Sequence, residues 1–286
     1  MNFDPGAHRE SSLENWEEAA SGWRRRREML DAYAAPVSHW MLEAVGPQPG
    51  ERVLELAAGM GETGLLAAEM VAPAGSVIIS DQAEAMIEGA RARARELGIE
   101  NVRFEVFNAE WIDLPLASVE IVLCRWGYML MVDPPTALSE TRRVLSPGGR
   151  LALAVWDSVE HNPWAALPGR ELAERGLAPP AGDSEQPRPG PFALGDAERL
   201  RELIEQAGFT GVSVEALDLP RRQRDFEEFW ETTLDLSRSF HDAVMGRSEE
   251  EIEAIRDGLQ QRFAPYTEAD GSLRIPGRTL VASASA

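Results

Sequence analysis

One stretch, Arg52-Val53-Leu54-Glu55-Leu56-Ala57-Ala58-Gly59-Met60-Gly61-Glu62-Thr63-Gly64, constrains the fold more than any other. Val53, Leu54 and Leu56 read as a short buried strand. It runs into three glycines spaced G-x-G-x-x-G, and Leu65-Leu66-Ala67-Ala68 opens a helix. A strand, a glycine turn and a helix in this order bring backbone N–H groups and a positive helix end towards a ligand. Glycine serves there because a Cβ would block close backbone approach and because it tolerates positive φ. Glu55 breaks the pattern, being an acid near the end of an apolar strand. A buried carboxylate is costly unless it meets a cation or donors, so Glu55 is a candidate ligand contact.

The 286 residues suffice for a substantial core, as one large or two small domains. No apolar run reaches the roughly 18 residues of a membrane span, and the N-terminus lacks the basic and apolar regions of a secretory signal. The single cysteine, Cys124, excludes an internal disulfide, and the four histidines show no metal-ligand spacing. These features imply a cytoplasmic protein without a metal. A net charge of −20, from 28 basic and 48 acidic residues, argues against nucleic acid as a partner. The basic run Arg24 to Arg27 is flanked by Glu17, Glu18, Glu28 and Asp31, which suits a solvated helix face with i,i+4 pairs.

In chain order, residues 1–50 read as helices carrying Trp16, Trp23, Tyr33 and Trp40. They either pack on a neighbouring domain or form an aromatic lid. From 51 to about 156 strands alternate with helices, which predicts a parallel sheet covered on both faces. The strands are expected at 52–57, 76–80, 102–107, 119–124 and 150–156. The helix over 83–97 places Met86, Ala90, Ala94 and Leu97 on one stripe, Asp133-Pro134 opens another, and Ser146 to Gly149 form a turn. Residues 157–195 read as an irregular excursion with a short helix near 164–175. Asp196 caps a further helix, a sixth strand spans 212–219, and two amphipathic helices follow near 225–245 and 248–263. Ser248 with Glu251 forms a capping box for the second. A last strand is expected at 273–283. The organisation is therefore an N-terminal helical cover (1–50), an α/β core (51–220), a helical insertion beside the N-terminal helices (221–270) and a final strand of the core (271–286).

The glycine pattern alone suits a nicotinamide or flavin cofactor equally well. Asp81, 22 residues after Gly59, stands where a ribose-binding acid would sit in either case. Glu55 ahead of the glycines, the polar set Asn108-Ala109-Glu110 after the third strand and the lack of a hydride-transfer constellation in a lysine-poor chain all point away from a dinucleotide.

With these motifs the chain resembles class I S-adenosylmethionine-dependent methyltransferases of the small-molecule type that includes the quinone-biosynthesis C-methyltransferases. The matching pieces are Val53 to Gly64, Asp81 with Met86, Asn108 to Pro115 and Leu145 to Leu151, covering about residues 45–156. The resemblance implies a seven-stranded Rossmann-like sheet whose last strand is antiparallel, with helices on both faces. It implies that S-adenosylmethionine lies across the carboxyl ends of the first strands. Glu55 and the backbone of Ala57, Gly59 and Gly61 would hold its methionine end. Asp81 would take the ribose hydroxyls, with Gln82 and Met86 beside ribose and adenine. Asn108, Ala109 and Glu110 would meet the adenine, and Arg125 would begin the loop under the methionine moiety. Ala57 and Asn108 depart from the residues many members carry there, glycine and aspartate.

Methyl transfer from a sulfonium relies largely on holding the acceptor in line, and a base is needed only where the acceptor loses a proton. Candidate catalytic residues are therefore weakly specified: His161, His39, Tyr33 and Tyr128. Each histidine has a plain alternative, a loop residue for His161 and a packing residue for His39. Trp126 and Trp156, with Trp16 and Trp23, are expected to wall an acceptor pocket. The expected activity is methylation of an O, N or C atom of a small, partly apolar or aromatic acceptor, in a monomer or homodimer. A cofactor-binding regulatory or assembly protein without transferase activity is the alternative, and a nicotinamide-dependent oxidoreductase a third.

Overall fold

The computed structural model describes residues 3–178 and 188–286, so part of the expected 157–195 excursion lies outside the described residues. Two helices come first, α1 (Pro5–Arg25) and α2 (Arg27–Val45). The alternating region follows as β1 (Arg52–Glu55), α3 (Glu62–Val71), β2 (Ser76–Asp81), α4 (Glu84–Leu97), β3 (Val102–Val106), β4 (Val119–Arg125), α5 (Pro134–Val144) and β5 (Leu145–Trp156). Then come α6 (Pro163–Glu174), α7 (Ala197–Gln206), β6 (Thr210–Asp218), β7 (Arg221–Gln223), α8 (Phe226–Leu236), α9 (Arg238–Met245), α10 (Glu249–Phe263), β8 (Leu273–Ile275) and β9 (Arg278–Ser285).

Seven strands form one sheet in the order β3-β2-β1-β4-β5-β9-β6, parallel except for β9, which runs antiparallel to both β5 and β6. This is the expected Rossmann-like arrangement. The central strands are apolar on both faces: Val53 and Leu54, Ile121 to Cys124, and Leu151 to Val155 are all buried, as strands covered by helices on both sides require. The strand order reverses between β1 and β4, which opens a crevice at their carboxyl ends. Asp133 caps α5 by accepting the Thr136 N–H at 3.0 Å, with Pro134 at the first helical position.

The cover differs from the sequence expectation in several ways. Helix α2 is part of the core layer, with Val37, Met41, Leu42 and Val45 buried among the sheet residues, whereas α1 lies on α4 and α8. The expected 225–245 helix is two helices, because Ser237 takes an extended conformation and its hydroxyl caps α9 through the Phe240 N–H. The expected 273–283 strand breaks at Pro276-Gly277. Its first part, β8, pairs with β7 in a separate ribbon, and only β9 enters the main sheet. The capping box at Ser248 and Glu251 forms as expected. The strand expected from residue 150 begins at Leu145, with a register irregularity opposite Val119 and Ile121, so the 146–149 turn lies inside β5. Leu97 is half exposed at the end of α4; the buried stripe is Met86, Ile87, Ala90 and Ala94.

A second apolar core joins α6, α8, α9, α10 and the β7–β8 ribbon around Phe229, Phe263, Phe240 and Leu259. Glu171, buried on α6, ties this cap together by accepting from Arg175 at 2.7 Å and from Arg262 of α10 at 2.6 Å. The basic run makes cross-element pairs and not i,i+4 pairs, because α1 ends at Arg25 and Arg26 stands between the two helices. Arg25 and Arg26 pair with Asp235 on α8, and Arg27 pairs with Glu96 on α4. Gly22 permits this approach, since a Cβ there would collide with the Asp235 carbonyl. Among the described residues no helix is long and apolar enough to cross a membrane.

Candidate functional site

The glycine turn sits at the carboxyl end of β1. Ala57 (φ 49°), Gly59 (φ 55°) and Gly61 (φ 77°) all occupy the left-handed region, so the backbone curls back on itself between β1 and α3. Glu55 is buried beneath it, and its Oε2 accepts the Gly64 N–H at 2.9 Å. That bond satisfies a donor in the first turn of α3, and a Cβ on Gly64 would collide with the same oxygen. Burial pushes the Glu55 carboxyl up to about 8, against the opposing influence of Arg125, the Gly64 N–H and the Thr63 side chain. Arg125, at the end of β4, is itself engaged: its guanidinium donates to the Ser38 hydroxyl at 2.6 Å and pairs with Glu62.

Asp81 closes the other side of the turn. Its carboxylate accepts the Gly59 N–H at 2.9 Å and the Ala83 N–H at 3.0 Å, and burial raises its pKa against those two bonds. Beside it Met60, Ala83 and Met86 form a small apolar surface on which α1 lays Ala20, Trp16 and Trp23. The two indoles meet edge to face at 5.4 Å. Gln82 donates to the Ser12 hydroxyl of α1 at 3.2 Å. Helix α4 lacks a side-chain cap of its own, and Glu17 of α1 supplies one by accepting the N–H groups of Glu84 at 2.7 Å and Ala85 at 3.0 Å. The Trp23 Nε1 is enclosed and has no hydrogen-bond partner among the described residues.

The Asn108-Ala109-Glu110 set borders the same region from β3. Asn108 Oδ1 accepts the Glu110 N–H at 2.8 Å. Glu110 is buried with both oxygens engaged by the protein. Oε1 takes the N–H groups of Val132 (2.8 Å) and Asp133 (3.1 Å), while Oε2 takes Arg9 Nε (2.9 Å) and Nη2 (2.6 Å). The expectation that Glu110 meets a ligand base therefore has a competing arrangement, in which it clamps α1 to the loop before α5.

The second half of the site is aromatic. Trp126, directly after Arg125, stacks on Trp156 at the end of β5 with ring centres 4.4 Å apart. Tyr33 of α2 lies 6.4 Å from both, and Trp164 of α6 meets Trp156 edge to face at 4.9 Å. Three of the four rings are held by their polar ends: Trp126 Nε1 donates to Thr279 Oγ1 (3.0 Å), Trp164 Nε1 to Asn162 Oδ1 (3.0 Å) and the Tyr33 hydroxyl to the Leu219 carbonyl (3.0 Å). Trp126 has φ 61°, a strained value for a bulky residue, of the kind found where surrounding structure fixes a functional conformation. Arg221 of β7 places its guanidinium carbon 3.6 Å from the Trp164 ring centre and 5.1 Å from that of Tyr33. Arg125 lies 5.3 Å from the Trp126 ring centre and so links the glycine turn to this group.

The structure thus gathers Tyr33, Trp126 and Trp156 but puts Trp16 and Trp23 in a different cluster, over the glycine turn. Tyr128 is sealed in the core, its hydroxyl 2.6 Å from Thr141 Oγ1, and burial drives its pKa well up; it cannot act on an acceptor. His39 is exposed on α2, not packed as a core residue. His161 lies on the surface, 3.2 Å from Asp157 Oδ2 and 3.3 Å from Arg278. Sequence reasoning missed Trp164, Arg221, Glu17 and Arg9. Trp164, two residues after Asn162 at the start of a helix, had the clearest local signal. Two surface clefts, of about 740 Å³ at Arg222 to Arg224 and Glu268 to Arg274, and about 480 Å³ between α6 and α10, share no lining residue with either cluster. Among the described residues no three His, Cys, Asp or Glu side chains are grouped as metal ligands.

A family model described as a methyltransferase domain matches residues 47–176. The ubiquinone/menaquinone biosynthesis C-methyltransferase UbiE of Shewanella baltica is 31% identical over 123 residues, 43% of this chain and 49% of its own length. The chain spans about half the length of the curated relatives it matches. Among solved structures, the YcgJ protein of Bacillus subtilis superposes with a TM-score of 0.58 at 19% identity, over 87% of this chain and 97% of its own. Haemonchus contortus phosphoethanolamine N-methyltransferase 2, bound to phosphomonomethylethanolamine and S-adenosylhomocysteine, gives 0.54 at 17% identity, over 87% of this chain and 52% of its own. At these identities the structural likeness is one of fold.

Proposed function

We infer that this chain, whose residues 47–176 match a methyltransferase-domain model, is an S-adenosylmethionine-dependent methyltransferase of class I that transfers a methyl group to a small, partly aromatic acceptor. The observation that carries this reading is the junction at Arg125-Trp126. On one side of it stands a glycine turn flanked by two enclosed carboxylates, and on the other a group of aromatic rings.

The residues fit the cofactor. Glu55 lies beside the turn as an acid suited to an ammonium, Asp81 as an acid suited to vicinal hydroxyls, and the enclosed Trp23 Nε1 is a donor awaiting an acceptor. Ala57, Gly59 and Gly61 keep the approach free of large side chains. When bound, the cofactor supplies an electrophilic methyl group on a sulfonium. The α1 helix, clamped by Glu17 and Arg9, shields the turn from water on the α4 side. Trp126 and Trp156 hold a flat acceptor, and the fixed polar end of Trp126 restricts its orientation, so that positioning provides much of the rate. Tyr33 donates its proton to Leu219 and burial raises its pKa, so it orients and does not deprotonate.

Calorimetry with S-adenosylmethionine and S-adenosylhomocysteine, followed by radiolabelled methyl transfer to a panel of small phenols, amines and quinols, tests the reading. Binding of both cofactors with turnover on a small acceptor is expected. Turnover confined to RNA or protein, or cofactor binding without any turnover, would overturn it.

A further inference from the structure

Arg221 has a feature that none of the roles above uses. Its Nε is enclosed and lacks a hydrogen-bond partner, and no carboxylate among the described residues lies within ion-pair distance of its guanidinium. Other enclosed arginines are paired. Arg125 meets Glu62, and Arg150, whose Nε is also unpartnered, holds Glu51 through Nη2 at 2.6 Å. Burial lowers the Arg221 pKa, and Tyr33 only partly offsets this. The faces of Trp164 and Tyr33 attract the cation and the Tyr33 hydroxyl accepts from it, but neither ring carries a charge to balance it. In a chain of net charge −20 a counter-ion for a useful surface arginine is abundant, as the pairs at Arg25, Arg52 and Arg256 illustrate. An arginine kept without an anionic partner among the described residues, walled by the rings read as the acceptor site, is suited to an anion that arrives from outside.

We propose that Arg221 is a recognition residue for an oxyanion, a carboxylate or a phosphate, carried by the aromatic acceptor. The inference rests on the methyl-transfer reading and names the acceptor's charge: its ring lies against Trp126, Trp156 and Tyr33, and its anionic group faces Arg221. Trp164, oriented by Asn162, holds the guanidinium in plane. The local cation selects the anion at short range even though the protein's long-range field opposes it, because screening limits that field to about 10 Å.

The test uses the full chain saturated with S-adenosylhomocysteine and three probes of one shape: benzoate, phenyl phosphate and benzamide. Affinities are read by titration calorimetry and by quenching of tryptophan fluorescence. At least one anionic probe is expected to bind about tenfold more tightly than benzamide, and the stronger of the two identifies carboxylate or phosphate. R221M removes that preference while the melting temperature and S-adenosylhomocysteine affinity stay at wild-type values. If R221M does not fold, R221K, which keeps the charge but loses the planar fork, is expected to reduce the preference. Equal binding of anionic and neutral probes, no binding of any probe, or a preference that survives R221M (or is unchanged in R221K where R221M does not fold) overturns the proposal. Failure of S-adenosylhomocysteine itself to bind would instead overturn the cofactor reading, which is measured separately.

Discussion

Glu55 Oε2 and the Gly64 N–H meet at 2.9 Å beneath the glycine turn, so one buried acid holds the end of β1 to the first turn of α3. The same side chain faces the Arg125–Glu62 pair through its charge. Glu55 therefore does two things that a sequence pattern presents as one. It shapes the turn by satisfying a helix-start donor, and it keeps an ionisable group at the point where the turn would receive a ligand. Truncation of Glu55 to alanine would orphan the Gly64 N–H at a cost of about 1–3 kcal/mol and so would perturb folding together with cofactor binding. Glutamine is the better probe, because it retains an accepting oxygen.

The pH dependence of stability follows from this burial. The folded pKa of Glu55, about 8, lies above its ordinary value of 4.5. The folded state therefore holds a proton that the unfolded state has lost, and the contribution is fully present below pH 4.5 and disappears as pH rises to about 8. Asp81 and Glu62 are shifted in the same direction, also by burial. Unfolding free energy without ligand is expected to fall across that window, with a slope approaching about 1.4 kcal/mol per pH unit for each such proton. Urea denaturation at pH 5, 6, 7 and 8 should show a shallower decline for Glu55→Gln. An equal slope in the variant would mean that Glu55 is ionised in the folded protein.

Cofactor binding should carry the complementary signature. An ammonium placed beside a neutral Glu55 favours its carboxylate form, so the proton must leave. Calorimetric titration of S-adenosylmethionine near pH 7, in buffers of different ionisation enthalpy, is expected to show release of up to one proton, and Glu55→Gln is expected to abolish it. Proton uptake, or release unchanged in the variant, would place the ammonium elsewhere.

Much of this was legible in the sequence because the signals are local. Val53-Leu54 and Ile121 to Cys124 are continuous apolar runs, as central parallel strands must be, and Glu55 and Asp81 stand at the strand ends with the glycines between them. What escaped depends on partners distant in the chain. Glu110 reads as a polar contact for a ligand until Arg9, 101 residues earlier, is seen to occupy one of its oxygens. Arg221 is unremarkable in its own segment and acquires meaning only beside Trp164 and Tyr33. The break at Ser237 was hidden because helical periodicity continues across it. The break at Pro276-Gly277 was hidden because the apolar alternation on its two sides belongs to two different sheets.

Ala57 provides a test of strain. It holds φ 49° where glycine would be relaxed, and its Cβ faces Gly127, where a second Cβ would collide with it. A non-glycine residue in this region costs about 1–2 kcal/mol, while glycine's extra freedom in the unfolded chain returns about 0.4–1 kcal/mol of that. Ala57→Gly is thus expected to stabilise the protein by up to about 1.6 kcal/mol, read as a raised urea midpoint at constant m-value. Destabilisation would indicate that the methyl group packs usefully against the β4–α5 loop.

The Arg9–Glu110 clamp predicts how α1 is held. Glu110 is 1% exposed and Arg9 27% exposed, so removing the arginine leaves a carboxylate enclosed with only the Val132 and Asp133 N–H groups. Arg9→Met is expected to destabilise the protein by about 2 kcal/mol. The double variant with Glu110→Gln should recover part of that loss, because the unpaired charge is then gone. Additivity of the two changes in a double-mutant cycle would show that the pair is not coupled.

Trp23 lies over the glycine turn, its ring against Gly59. An enclosed N–H without a partner costs about 1–3 kcal/mol, and native structures retain such groups where something else makes the bond. Trp23 meets Trp16 edge to face and covers Met60 and Met86, so phenylalanine preserves most of its packing while deleting the donor. If the indole N–H serves the bound cofactor, Trp23→Phe should leave unliganded stability unchanged or higher. It should also weaken S-adenosylhomocysteine binding by about fivefold, the worth of one hydrogen bond near 1 kcal/mol. Lower stability with unchanged affinity would make α1 a purely structural helix. The combination of a steadier fold with weaker binding is hard to obtain from packing alone, since lost packing moves both in the same direction.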